Sequence, residues 1–189
     1  MNSSIINRLN SGKIGVIPTD TIYGIVGSAL NPVVVEKIYQ LRRRAVDKPM
    51  IILISSLDDL EKFDVKLTDK QKEFLQKNWP NPLSVILPCK CEKFKYLHRG
   101  TNSLAFRMPK DKKLLEMLRQ TGPLVAPSAN FEGEKPAETV EEAKKYFADQ
   151  AAFYVKGKIK SKPSTIIKLD EEGKVDILRE SRLRISSHI

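Results

Sequence analysis

Cysteine is nearly absent from this 189-residue chain: only Cys89 and Cys91 occur, one residue apart. A bridge between such close neighbours would be strained, and the two histidines, His98 and His188, are poorly placed to complete a zinc site. Reduced bystander thiols are therefore expected, and no resident metal. No apolar run reaches the roughly 18 residues of a membrane span. The polar start Met1-Asn2-Ser3-Ser4 is no secretory signal, so a soluble cytoplasmic protein is expected. Also missing are a Walker P-loop, a Gly-x-Gly-x-x-Gly after a strand, a His-Glu-x-x-His and a Gly-x-Ser-x-Gly elbow. Acidic residues are in deficit, 23 against 33 Lys and Arg, a formal charge of +10. That excess predicts an anionic partner: nucleotide phosphates, tRNA or rRNA, or an acidic membrane surface, among which charge alone does not choose.

Length suits one domain spanning 1–189. Hydrophobic periodicity predicts helices and strands in alternation. A helix over 3–9 is broken by Gly12, and a strand over 13–17 ends at Pro18, which cannot donate to a ladder. Asn31 and Pro32 start a helix striped by Val34, Ile38 and Leu41. The apolar run 50–54 reads as a strand covered on both faces. A short helix over 56–63 precedes one opened by a Thr68/Gln71 capping box. Strands at 83–87 and 103–107 flank a basic loop. Leu114, Leu115 and Leu118 stripe a helix that Gly122-Pro123 ends before a strand over 124–126. Thr139 and Glu142 box another helix, and strands near 152–155, 164–169 and 175–178 close the chain, the basic run 156–162 crossing the surface. Together these imply an α/β fold with a sheet of mixed direction.

The polar residues gather at the ends of apolar segments. Thr19-Asp20-Thr21-Ile22-Tyr23-Gly24 follows the first strand, where open α/β sheets bind ligands, although such a segment reads equally as a turn that satisfies its own backbone. Arg42, Arg43, Arg44 and Lys48 exceed what a helix C-terminus needs, and arginine grips phosphate oxygens in bidentate fashion. Ser103 and Arg107, four apart in a strand, share a face, either of a cleft or of an exposed surface. Ser128 and Asn130 follow the strand over 124–126, Ser164 and Thr165 start a later one, and Arg179 ends the next.

In this order the clusters resemble the YrdC family of threonylcarbamoyl-adenylate synthases from Ile14 to Arg179. The matching blocks are Pro18-Thr19-Asp20-Thr21-Ile22-Tyr23-Gly24, Arg42-x-Arg44-x-x-x-Lys48-Pro49, Trp79-Pro80-Asn81-Pro82-Leu83, Arg107-x-Pro109, Ser128-Ala129-Asn130 and Pro163-Ser164-Thr165. The resemblance implies a twisted mixed sheet with flanking helices and a basic concave cleft. It implies binding of ATP, L-threonine and bicarbonate, with magnesium riding on the triphosphate, and release of threonylcarbamoyl-AMP and pyrophosphate. The product would serve threonylcarbamoyladenosine modification of tRNA through downstream threonylcarbamoyl-transfer proteins, with tRNA itself a candidate partner of the basic surface. Carried over by position, Arg44, Lys48 and Arg107 would be catalytic. Thr19, Thr21, Tyr23, Arg107 and Ser164 would form the threonine site. Arg42, Arg44, Lys48, Ser103, Ser128, Asn130 and Arg179 would hold ATP.

The chain departs from the family pattern at several positions. Arg42 replaces a usual lysine, Val26 and Ser181 stand where glycines are common, Glu132-Gly133 replaces a usual Ser-Gly, and Leu53 replaces a histidine of longer relatives. The extra C-terminal domain of those relatives is expected to be absent. A positive φ at Val26 would be costly for a β-branched residue. The competing reading is a non-catalytic module of the same fold that holds tRNA or rRNA in its basic cleft. A carbamoyl-transferring maturation enzyme would need a second domain.

Overall fold

The computed structural model describes residues 3–160 and 162–181. The start Met1-Asn2, and Ser161 within the basic run, lie outside the described residues. Among the described residues nine strands form one sheet: β1 (Gly15–Pro18), β2 (Tyr23–Ser28), β3 (Ile51–Leu53), β4 (Leu83–Pro88), β5 (Ser103–Arg107), β6 (Leu124–Val125), β7 (Phe153–Tyr154), β8 (Thr165–Leu169) and β9 (Val175–Arg179). Their spatial order is β7-β1-β2-β6-β3-β5-β4-β8-β9. Pairs β1–β7, β3–β5 and β4–β8 are parallel and the remainder antiparallel, the mixed sheet that alternating elements implied.

Helices cover both faces. α1 (Ser3–Asn10) and α5 (Lys112–Thr121) bury Leu9, Leu114, Met117 and Leu118 against Ile17, Val26 and Leu53 on one side. On the other, α2 (Pro32–Arg42), α3 (Asp69–Asn78), α4 (Lys95–His98) and α6 (Val140–Phe147) pack around Ile25, Ile52, Phe106 and Phe147. Successive strand residues thus feed opposite cores, as Ile25 and Val26 do. Among the described residues, no helix is long and apolar enough to cross a membrane.

Local chemistry explains the helix starts. Asn31 Oδ1 accepts from Val33 N and Val34 N at 3.0 and 3.3 Å, and Pro32 sits in the first turn, where a missing N–H costs nothing. Thr68 and Gln71 form the reciprocal box expected of them. The Thr139 box is corrected to a one-sided cap: Thr139 Oγ1 accepts from Glu142 N, but the Glu142 carboxylate turns to Glu138 N at 2.8 Å. The amide one residue further out is the one that the incoming chain presents to it.

Two further expectations change. The turn after β1 leads straight into β2, whose two glycines dilute strand propensity and hid it; it forms because Ile17 and Pro18 pair with Gly24 and Tyr23 in a hairpin. β1 ends at Pro18 as expected, with Pro18 itself as its last residue, paired with Tyr23. The basic loop after β4 contains a 3-10 turn (Glu92–Phe94) and α4, which bury Phe94 and Leu97. The short helix expected over 56–63 is present over 57–63 and winds as a 3-10 helix.

Val26 carries no positive φ; it lies within β2, paired with Gly15. The glycine that matters is its neighbour Gly27, where an added Cβ would stand 2.4 Å from Val34 Cγ1 and 3.1 Å from Ile38 Cδ1. Absence of a side chain there is what lets α2 lie against the sheet. Gly27→Ala is expected to cost about 1–3 kcal/mol through overpacking, read as a lowered urea midpoint with an unchanged slope.

Candidate functional site

A cavity of about 340 Å³ opens where the turn after β1, the loop after α2, β5, residues 126–128 and the start of β8 converge. Four arginines line it, Arg42, Arg44, Arg107 and Arg179, with no carboxylate among its described lining residues. Six hydroxyl side chains, those of Thr19, Thr21, Thr101, Ser103, Ser128 and Ser164, add donors, while Met50, Ile51, Ile86 and Ile166 supply an apolar wall. Charge of one sign between low-dielectric walls concentrates anions, and a flat apolar surface accepts a base or ring.

The sheet explains the convergence. Residues 127–129 run along β2, with Ile25 N donating to Pro127 O at 3.0 Å and Ala129 N to Tyr23 O at 2.9 Å, so Ser128 stands beside Gly24. Antiparallel pairing of β4 with β5 and parallel pairing of β4 with β8 bring Arg107 and Ser164 to the same end.

Arg107 is buried, and its guanidinium organises the threonines. Nη1 donates to Thr21 Oγ1 at 3.1 Å and Nη2 to Thr19 Oγ1 at 3.4 Å, while Asp20 Oδ1 lies 3.3 Å from Nη2. Burial pulls the Arg107 pKa down, Asp20 opposes that shift and Arg179 adds to it. Ser164 Oγ shares a hydrogen bond of 2.8 Å with Ser84, and Arg179 donates to the Ser164 carbonyl from Nε and Nη2 at 3.0 and 2.9 Å. Ser103 and Arg107 both face the cavity, so their four-residue spacing here marks a cleft and not an exposed surface.

Arg42 is 3% exposed and, besides lining the cavity, braces the turn that forms its wall. Its Nε donates to Asn130 O at 3.1 Å, and its Nη2 to Ser128 Oγ at 3.1 Å and Asn130 Oδ1 at 3.4 Å. Burial first, then the neighbouring Arg44, lowers its pKa to about 10. Arg44 donates to the carbonyls of Lys48 and Pro49, both at 3.0 Å, and so clasps its own loop while facing the cavity.

Tyr23, Lys48 and Asn130 do not line the cavity. The Tyr23 hydroxyl donates to Gly157 O at 2.8 Å and accepts from Gly157 N at 3.0 Å, holding the strand-crossing segment against β2. Asn130 Nδ2 donates to the carbonyls of Phe131 and Glu134, at 2.6 and 2.9 Å, and so fixes the turn. Lys48 Nζ meets Glu132 Oε1 at 2.8 Å, and Glu132 Oε2 also accepts from Ala45 N at 2.5 Å.

Glu132, where the resemblance expects a small residue, therefore latches the loop carrying Arg44 to the turn carrying Ser128. Lys48 and the Ala45 amide pull the Glu132 pKa down to about 2 from 4.5. A depressed carboxyl stabilises above its unfolded value and loses that contribution as pH falls through the folded one. The carboxyl resonance of Glu132 is expected to titrate near 2, and Lys48→Ala should move it back towards about 4.3; an NMR pH titration checks both.

Three residues of the site, Thr101, Asp20 and Ser84, escaped the sequence reading. Asp20 lay inside a noted motif but without a role, because only the fold brings Arg107 to it. Ser84 is a fully buried hydroxyl in an apolar strand, and that anomaly was its available signal.

Among the described residues, no group of three or more His, Cys, Asp or Glu is placed to hold a metal ion. Cys89 and Cys91 are both free thiols.

The family model described as "Telomere recombination" (Sua5_yciO_yrdC) matches residues 7–181. A threonylcarbamoyl-AMP synthase of Bacillus subtilis is 35% identical over 133 residues, which are 69% of this chain and 38% of that protein. One of Escherichia coli O6:H1 is 30% identical over 156 residues, 81% of each chain. Among solved structures, P. abyssi Sua5 complexed with L-threonine superposes with a TM-score of 0.80 at 28% identity, over 88% of this chain and 50% of that one. Escherichia coli YciO, 18% identical with a TM-score of 0.84, shares the fold. The chain thus spans well under two thirds of the Bacillus subtilis relative and half of the P. abyssi chain.

Proposed function

This chain belongs to the Sua5/YciO/YrdC family, and from that membership we propose that it is a threonylcarbamoyl-AMP synthase, joining L-threonine, bicarbonate and ATP and releasing pyrophosphate. The observation that carries the reading is the Arg107 fork, which holds Thr19 and Thr21 at the floor of a cavity lined by four arginines. A relative of the same fold is complexed with L-threonine.

In this reading threonine lies against Thr21, Arg107 and Ser164, with Thr19 and Tyr23 shaping the pocket. The nucleotide takes Arg44, Ser103, Ser128 and Arg179, backed by Arg42, Asn130 and the Lys48 loop. Threonine's amine nitrogen attacks the carbon of bicarbonate, a C–O bond breaks, and the departing hydroxide leaves as water with an amine proton. A carbamate oxygen then attacks the α-phosphorus of ATP and the bond to the bridging oxygen breaks, expelling pyrophosphate. The second step needs two anions aligned and charge on phosphoryl oxygens neutralised, which fixed guanidinium groups and hydroxyl donors do without a covalent nucleophile. Magnesium enters as the salt of the triphosphate. The product would serve the threonylcarbamoyl modification of tRNA.

Incubation with labelled ATP, bicarbonate and threonine is expected to yield pyrophosphate that depends on threonine. Pyrophosphate release indifferent to threonine overturns the reading. In that case RNA affinity falling steeply with salt, without ATP turnover, would identify an RNA-holding module. Arg44→Ala and Ser128→Ala should each lower turnover, and full activity in both would remove those two residues from the nucleotide site.

A further inference from the structure

In the synthase reading the first cavity takes threonine and the nucleotide, and the carbon-donating anion must also reach the amine. A second cavity, of about 490 Å³, shares Thr21 and Pro163 with the first, and neither Arg44 nor Ser128 lines it. It therefore adjoins the threonine end. Lys110, Lys160 and Lys162 line it, and Asp20 is the only carboxylate among its described lining residues. That carboxylate is already engaged, with Oδ2 accepting from Lys110 N at 3.0 Å and Oδ1 lying 3.3 Å from Arg107 Nη2. Among the described residues, none of the three lysines forms an ion pair.

Two of these lysines are pinned by their backbone to the turn that separates the cavities. Lys110 N–H donates to Asp20, and Lys160 N–H donates to the Thr21 carbonyl at 2.8 Å. Their Cα atoms cannot drift from Thr21 without breaking those bonds. The rim is thus three unpaired cations beside one neutralised acid, an arrangement that concentrates small anions.

We propose that this second cavity is an antechamber for bicarbonate, gathered by Lys110, Lys160 and Lys162 and delivered past Thr21 to the amine of threonine. The inference rests on the synthase reading above. A space of this size is far larger than one bicarbonate, so the lysines raise the local concentration of the anion and do not clasp it.

The test is the triple variant Lys110→Gln, Lys160→Gln, Lys162→Gln, whose exposed positions leave the cores untouched. Its KM for bicarbonate is expected to rise about fivefold at low salt, the difference shrinking towards unity near about 0.5 M salt as the charges are screened. KM for ATP should stay unchanged, and the triple Lys→Arg variant should keep the wild-type value for bicarbonate. Line broadening of carbon-13-labelled bicarbonate, with ATP and threonine omitted, should be seen with the wild-type protein and be reduced in the Gln variant. A bicarbonate KM insensitive to both substitution and salt overturns the inference, because neutral carbon dioxide would then be the entering species. So does a rise confined to the KM for ATP, or a loss of RNA retention with all KM values unmoved. A wild-type protein inert with all three substrates overturns the synthase reading itself and this inference with it, an outcome distinct from an active enzyme with an unmoved KM.

Discussion

Arg107→Ala is expected to cut threonine-dependent pyrophosphate release by a factor of about 100 or more and to lower folding stability by about 3–5 kcal/mol. Both effects come from one guanidinium whose side chain is 5% exposed, as is that of Asp20. Removing the cation leaves the Asp20 carboxylate buried with only Lys110 N and no counter-charge, and it releases Thr19 and Thr21 from a common donor. The activity loss is separable from the stability loss. The double variant Arg107→Met, Asp20→Leu replaces the pair by apolar groups of similar volume and should recover much of the stability. It should recover none of the turnover, because the Arg107 guanidinium is then missing from the proposed threonine site. Chemical denaturation and steady-state pyrophosphate release read the two separately. A single variant that unfolds like the wild type would show that the pair does not hold this wall.

Arg42→Ala should raise KM for ATP about ten- to hundredfold and cost about 2–4 kcal/mol of stability, although Arg42 contacts mainly protein. Its three hydrogen bonds hold Asn130 O, Asn130 Oδ1 and Ser128 Oγ, and Nη1 is left without a partner. Truncation frees the turn that presents Ser128 and leaves three acceptors unsatisfied. Arg42→Lys tests the geometry, since an ammonium keeps the charge but cannot serve Asn130 and Ser128 in one plane. It should restore only part of the nucleotide affinity, as measured by calorimetry with a non-hydrolysable ATP analogue. Substitution of the usual family lysine by arginine at this position is therefore more than a conserved charge. Together with Glu132, which ties the Lys48 loop to the same turn, it fixes the backbone that presents Ser128 to the cavity.

Sequence by itself determined what is local. Asn31 with Pro32, and Thr68 with Gln71, announced helix starts because capping is settled within four residues, and the apolar run 50–54 announced a strand covered on both faces. The order of polar blocks marked which segments would meet, and nine of the twelve expected site residues do line one cavity. What the tertiary structure alone decided depends on residues far apart in the chain. β2 was hidden because its glycines are poor strand formers, and only pairing with β1 and close packing under Val34 make it a strand. Asp20 gained its role from Arg107, 87 positions away, and Glu132 from Lys48, 84 positions away. An ion pair of this kind leaves no periodicity in either segment, since each partner looks like an ordinary charged residue until the sheet sets the two side by side.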